Sequence, residues 1–413
     1  MGSTMDVREI AVTAPLLTIV IPTKNRLEYV KASIRSSLEI ASPDVELVIE
    51  DNSSTNDLED WIRAEINDPR LVYSHSKAPL SMTENYDRAM HRVAGKYVCL
   101  IGDDDAVNPE IVDAVRWANA RSIEALTPIN RLNYIWPDLQ LLAAGASQPG
   151  ELRLAKWSCS TIFASTEEEL RKCVRDAGQD FHMLPRCYYG IVRKDRWDEV
   201  RRQTGTYFPG ISPDMSAALA IGNYIKSVCI VDYPLFIPGS SRKSNAGLSG
   251  LGRHIGRLRD QPHLPPNVEE AWSKIVPPFF SVETIWAEAA VEALQATRRF
   301  DLLKEFNVPK LYADLLMWHP AYSLLTLSYF YTALSQIDRN PIRGTWEFAQ
   351  RFLYVSSLRA KSLASRFLPR EKKDQPPVGL RGLGNIWEAA QALTNHLKST
   401  GISFQNNIRN HAS

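Results

Sequence analysis

A chain of 413 residues exceeds one average domain, so two units, or one unit with a large appendage, is the expectation. Apolar residues at 44% and charged residues at 23% describe ordinary globular composition, and 48 basic against 47 acidic side chains leave a net charge of +1. That balance argues against a nucleic-acid partner, because phosphate binding needs a basic excess on some face. Five scattered cysteines without a CxxC pair argue against a disulfide framework or a zinc site and fit reduced thiols in a cytosolic protein.

The first hundred residues alternate between two periods. Leu16 to Ile21 is an apolar, β-rich run ended by Pro22, and Arg26 to Glu39 then places Leu27, Val30, Ile34 and Leu38 at helical spacing. Val45 to Ile49 reads as a second strand, Leu58 to Ile66 as a helix, and Leu71 to Tyr73 as a short strand. Met82 to Val93 reads as a helix and Lys96 to Ile101 as a strand. Such alternation predicts a mostly parallel sheet covered by helices on both faces, with ligands at the carboxyl ends of the strands. The pattern continues less regularly, with apolar runs at Tyr188 to Val192 and Val228 to Val231 and helices near Glu167 to Val174 and Pro213 to Ile221.

Pro238 to Pro266, rich in Gly, Ser, Pro and Arg, reads as a loop, and Val268 to Leu397 is helical in spacing with breaks at prolines. The expected division is therefore an α/β unit over 1–240, a linker over 241–267 and an α-helical unit over 268–413. Asp6 and Glu9 argue against a secretory signal, and Asp314, His319 and Pro320 interrupt the most apolar later stretch, so no spanning helix is expected. From Arg339 to Lys373 nine basic residues and two acidic ones interleave with Trp346, Phe348, Phe352, Leu353, Tyr354 and Phe367. That mixture suits either the core of a helical bundle or peripheral contact with an anionic membrane surface.

Two acidic segments fall at predicted strand ends. Gly102-Asp103-Asp104-Asp105 crowds three carboxylates that repel one another, so keeping them ionised needs a cation or ample water. Mg²⁺ and Mn²⁺ favour oxygen ligands and commonly combine one or two carboxylates with substrate phosphates. The competing reading is a solvated acidic turn before a helix that begins near Pro109. Glu50-Asp51-Asn52-Ser53-Ser54 ends the second strand and offers either a ligand contact or a helix cap.

Taken together, Leu17-Thr-Ile-Val-Ile-Pro-Thr-Lys-Asn-Arg26, Glu46-Leu-Val-Ile-Glu-Asp-Asn-Ser-Ser54 and Ala94-Gly-Lys-Tyr-Val-Cys-Leu-Ile-Gly-Asp-Asp-Asp105 resemble family-2 glycosyltransferases of the GT-A fold. The resemblance covers roughly residues 16–245. It implies a GT-A, Rossmann-like, mostly parallel sheet flanked by helices, which the helical spacing beyond residue 268 extends with an α-helical C-terminal region. It further implies a nucleotide-sugar donor, usually a UDP-sugar, lined by Pro22, Thr23 and Arg26. Asp51 would meet the base, Asp103 would lie near the ribose, and Asn85 would border the donor. Asp104 would bind Mn²⁺ or Mg²⁺, and Asp105 would support the metal shell or face the acceptor. Gly102 stands where the family's Asp-x-Asp motif has its first Asp.

Asp214, in Phe208-Pro-Gly-Ile-Ser-Pro-Asp214, fits the position of the base in inverting members, taking the proton of the attacking hydroxyl. Its competing reading is a helix-start residue after Ser212 and Pro213. Arg242, or its neighbour Lys243, could close over the diphosphate, and His254 could join the metal. His182, Cys187 and Tyr188 suit an acceptor-side wall, without any orienting residue for Cys–His catalysis. The acceptor would be a saccharide or lipid-linked glycan, in surface polysaccharide or glycolipid assembly in the cytoplasm or at the inner membrane face. Two other classes are a non-catalytic nucleotide-binding scaffold of the same fold and a sugar-nucleotide pyrophosphorylase. The latter is disfavoured because Pro22-Thr-Lys-Asn-Arg26 replaces its Gly-rich loop.

Overall fold

A computed structural model of the chain describes residues 14–129, 132–141, 147–244, 247, 255–365 and 378–410. The alternating sequence folds as β1 (Leu17–Thr23), α1 (Leu27–Leu38), β2 (Val45–Asp51), α2 (Asp57–Glu65), β3 (Leu71–His75), α3 (Met82–Met90) and β4 (Tyr97–Leu100). There follow β5 (Ala106–Val107), α4 (Ile111–Ala120), β6 (Ala125–Pro128), β7 (Leu132–Ile135), β8 (Glu151–Leu154), β9 (Ser160–Ser165) and α5 (Thr166–Arg175). The α/β part ends with β10 (Ile191–Arg193), α6 (Lys194–Thr204), α7 (Pro213–Gly222), β11 (Ser227–Val231), β12 (Phe236–Ile237) and β13 (Gly239–Ser240).

The main sheet runs β3-β2-β1-β4-β10-β6-β11-β9, with a last strand, Arg409–Asn410, beyond β9. β1 pairs in parallel with β2 and β4, β2 with β3, and β11 with β6, so most of the sheet is parallel. β10 runs antiparallel between β4 and β6. Because side chains alternate along a strand, β1 sends Leu17, Ile19 and Ile21 into one core and Val20 into another. The first core lies under α1 and α4, the second under α3, α6 and α7. Each fully buried Leu, Ile or Val contributes about 1.5–3 kcal/mol, which is why the strands read as continuous apolar runs.

Some elements of the C-terminal part return to the α/β part. The helix Ile386–Thr400 buries Ile386, Ala389, Leu393 and Leu397 in the same core as α1, and Val378–Leu380 pairs with β8. The helix Val282–Ala296 packs against α7. Helix α7 is apolar on all sides because it is sandwiched, giving Met215, Ala218 and Leu219 to a third core and Ala217, Ala220 and Ile221 to the second. Described residues between 241 and 267 are tied to the α/β part: Ser241 bonds to Arg26 and Asp104, and the His263 carbonyl accepts from Met82 N–H at 2.9 Å. Helical spacing signals helices but not which sheet face they return to.

Candidate active site

A cleft of about 660 Å³ opens at the carboxyl ends of β1 and β4. One wall is polar, with Pro22, Thr23, Arg26, Asn85 and Asp103 to Asp105; the other carries Met82, Ile211, Phe280, Val282, Ile285 and Trp286. Asp214, Tyr86, Tyr188, Lys243 and His263 also border it. Its position follows the rule for parallel sheets, since the loops after β1 and β4 diverge at their common edge.

The polar wall is one network. Arg26 Nη1 meets Asp103 Oδ1 at 2.7 Å and Nη2 meets Asp104 Oδ2 at 2.9 Å. Thr23 Oγ1 donates to Asp103 Oδ2 at 2.7 Å. Ser241 Oγ accepts from Arg26 Nη2 at 2.7 Å and donates to Asp104 Oδ2 at 2.6 Å. Asp103 and Asp104 are buried, and the guanidinium between them relieves their mutual repulsion. Burial raises the Asp103 carboxyl above the ordinary carboxylate range, against the pull of Arg26.

Asp105 turns the other way. Its oxygens accept from Gly239 N–H at 2.7 Å, Gly102 N–H at 2.6 Å and Tyr189 Oη–H at 2.9 Å. Both oxygens thus bond to the protein, and the side chain clasps the loops after β4 and β12 together. Burial and then the neighbouring Asp104 push its carboxyl up. This clasp also explains Gly102, because a Cβ there would lie 2.7 Å from both Asp105 Oδ2 and Tyr188 Oη. At Gly239 a Cβ would stand 1.9 Å from the Asp104 carbonyl oxygen, so only glycine permits the two backbones to meet.

The other predicted residues divide. Pro22, Thr23, Arg26 and Asn85 line the cleft. Asn85 Nδ2 donates to the carbonyls of Thr23 and Glu50 at 3.3 and 3.4 Å, while its buried Oδ1 has no partner among the described residues. Asp51 is fully buried outside the cleft lining, accepting from Ser53 N–H at 2.8 Å and Tyr73 Oη–H at 3.0 Å. Arg242 lies exposed outside the lining, and Lys243 takes its place, paired with Glu28 at 2.6 Å. His254 lies outside the described residues.

Asp214 stands at the start of α7, where Pro213 occupies the first turn. Its Oδ1 accepts from Ser212 Oγ–H and, at 2.9 Å, from Met215 N–H, leaving Oδ2 for the cleft among the described contacts. Burial raises its carboxyl above the ordinary range, against those two bonds. Asp214 therefore both starts α7 and borders the cleft. Cys187 Sγ–H points to the Pro213 carbonyl at 3.6 Å, and burial keeps the thiol neutral, so it is no nucleophile. His182 does not line the cleft. Ser241, Tyr189, Gly239 and Trp286 carried no signal in the sequence, since their roles arise from contacts between segments far apart in the chain.

Residues 18–120, which contain β1, β4 and the acidic loop, match the family model Glycosyl transferase family 2. Over 97 residues the chain is 32% identical to WcaA of Escherichia coli (strain K12), which bears the name of a colanic acid biosynthesis glycosyl transferase. Over 94 residues it is 29% identical to TuaG of Bacillus subtilis (strain 168), named for teichuronic acid biosynthesis. These matches take in 23% and 22% of this chain, and the chain spans only about a third, 34% and 36%, of the length of these relatives. Among solved structures, S. aureus TarS 1–349 in complex with UDP-GlcNAc is similar at 13% identity and TM-score 0.43, covering 79% of this chain and 93% of that one.

Proposed function

We propose that the chain is a glycosyltransferase of polysaccharide biosynthesis that moves a sugar from a UDP-sugar to an acceptor hydroxyl with inversion. The observation that carries this reading is one cleft bordered by both the Asp103–Arg26–Asp104 network and Asp214. The polar wall suits the donor, with Arg26 and Lys243 for phosphate charge and Asn85 Oδ1 as a spare acceptor. The apolar wall, with Trp286, suits the face of an acceptor sugar or lipid-linked saccharide.

In the transfer step the acceptor oxygen bonds to the anomeric carbon as the bond from that carbon to the diphosphate oxygen breaks. The acceptor proton passes to Asp214, whose raised carboxyl pKa makes it a better base than an exposed aspartate. The donor set on the polar wall is all oxygen, which fits Mn²⁺ or Mg²⁺. Among the described residues no three acidic, histidine or cysteine side chains could hold an ion by themselves, so donor phosphates would complete its shell. Asp104 would hold it, with one oxygen committed to Arg26 and Ser241. When bound, such an ion offsets charge on the departing diphosphate. Work in the cytoplasm or at the inner membrane face belongs to the same reading.

The test is a panel of nucleotide sugars with and without Mn²⁺ or Mg²⁺, read first by thermal stabilisation and then by transfer. Asp104→Asn should weaken metal-dependent stabilisation. Asp214→Asn should keep donor binding and lower transfer by roughly 10²–10⁴-fold, the usual range for losing a general base. Transfer at the parent rate by Asp214→Asn would remove the base assignment, and a panel without any stabilisation would remove the donor site.

A further inference from the structure

Away from the cleft, two helices of the C-terminal half, Ser323–Gln336 and Pro341–Ser365, build a face that the transfer reading leaves unused. The first presents Leu324, Leu327 and Tyr331, and the second Ile342, Trp346 and Leu353, each set on one helical stripe. Leu324 is 87% exposed, Ile342 81%, Leu353 70% and Trp346 64%. The same helices already bury Phe330, Leu334 and Val355 on their inner sides, so the outer stripes are not needed to hold the fold. The hydroxyls of Tyr331 and Thr345 lie 3.5 Å apart, which sets the two stripes side by side. Arg359 stacks over Trp318 at 5.6 Å and extends the face. Apolar surface of this extent marks a contact site.

Charge says which kind. From Arg339 to Lys361 there are five basic residues and one acidic, Glu347. Arg339 and Arg343 share Glu347, Arg351 pairs with Asp314, Arg359 donates to the Met317 carbonyl, and Lys361 is exposed. The excess is positive. Two copies of this face would bring like charges together, whereas an anionic lipid surface complements both the charge and the apolar stripes, with tryptophan and tyrosine suited to the headgroup boundary. Among the described residues no helix is long and apolar enough to cross a membrane, so the contact lies on the bilayer and does not span it.

We infer that this face docks the protein flat onto an anionic bilayer, the occupant being the lipid surface itself. The inference goes beyond the transfer reading. The test is co-sedimentation of the full chain with phosphatidylcholine vesicles and with vesicles that also contain phosphatidylglycerol. Binding to the anionic vesicles should be at least about tenfold stronger and should weaken with added salt. Leu324→Ser/Ile342→Ser/Leu353→Ser should lower it by roughly a hundredfold, as three partly inserted side chains are lost. Arg359→Glu/Lys361→Glu should remove most of the preference for anionic lipid.

Equal binding to both vesicle types, or an unaffected serine variant, overturns the inference. So does a dimer in solution that the serine variant dissolves while vesicles capture neither protein. Donor-dependent thermal stabilisation of the serine variant, measured alongside, reports the cleft separately, so failure of docking and failure of the donor site are told apart.

Discussion

Replacing Arg26 by alanine removes the guanidinium that touches both Asp103 and Asp104, at 2.7 and 2.9 Å. The side chain is 20% exposed and the two carboxylates 4% and 6%, so water screens these contacts poorly. Each charge pair at about 4 Å is worth about 4 kcal/mol at an effective dielectric near 20, before the desolvation of the arginine is set against it. Breaking a buried pair by removing one partner lowers stability by about 3–5 kcal/mol, and two orphaned carboxylates place Arg26→Ala at the upper end. The loss should depend on pH in a defined direction. A carboxyl whose folded pKa is raised, as burial does to Asp103, binds more protons folded than unfolded. Stability then falls as pH rises from the ordinary carboxylate range, about 4, through the raised value. Without Arg26 that value rises further, so the deficit should be largest near neutrality and shrink on acidification. One proton taken up recovers about 1.4 kcal/mol per pH unit within the window. Urea unfolding of both proteins at pH 7.5 and pH 5 measures this. A variant as stable as the parent at neutral pH, or one whose deficit grows on acidification, would refute the reasoning.

Gly239→Ala should lower stability by about 3 kcal/mol and weaken donor-dependent stabilisation, because its Cβ would fall 1.9 Å from a backbone oxygen that cannot retreat; an unchanged melting temperature and donor response would contradict this. Leu393→Ala, fully buried in the core it shares with α1, should lower stability by about 2–5 kcal/mol in a single unfolding transition. A separate early transition would instead mark an independent C-terminal unit. Asp105→Asn leaves one of its three N–H or O–H donors without a full acceptor and should cost about 1–3 kcal/mol in urea unfolding. Unchanged stability with a lost metal response would place Asp105 in the metal shell.

The strand-helix order up to β4 was readable because each element there is local and buries a complete face. Leu27, Val30, Ile34 and Leu38 announce α1, and the helix runs Leu27–Leu38. The acidic loop was readable for the same reason, as carboxylates directly after an apolar strand have few other places to go. What escaped depends on distance along the chain. The antiparallel insertion of β10 between β4 and β6 leaves no mark in its own residues. Asp105 looks like its two neighbours until Gly239, more than a hundred residues later, arrives to donate to it. Tyr73 donates to Asp51 from the neighbouring strand, a contact that the segment around Asp51 does not announce.

The return of Ile386–Thr400 to α1 bears on how the protein is made. The helix surface that receives Leu393 and Leu397 is synthesised some 350 residues before its cover. Pairings at such separation close slowly, and apolar surface left waiting is prone to aggregation. During synthesis the outer side of α1 therefore emerges bare and stays so until the late helix seals it.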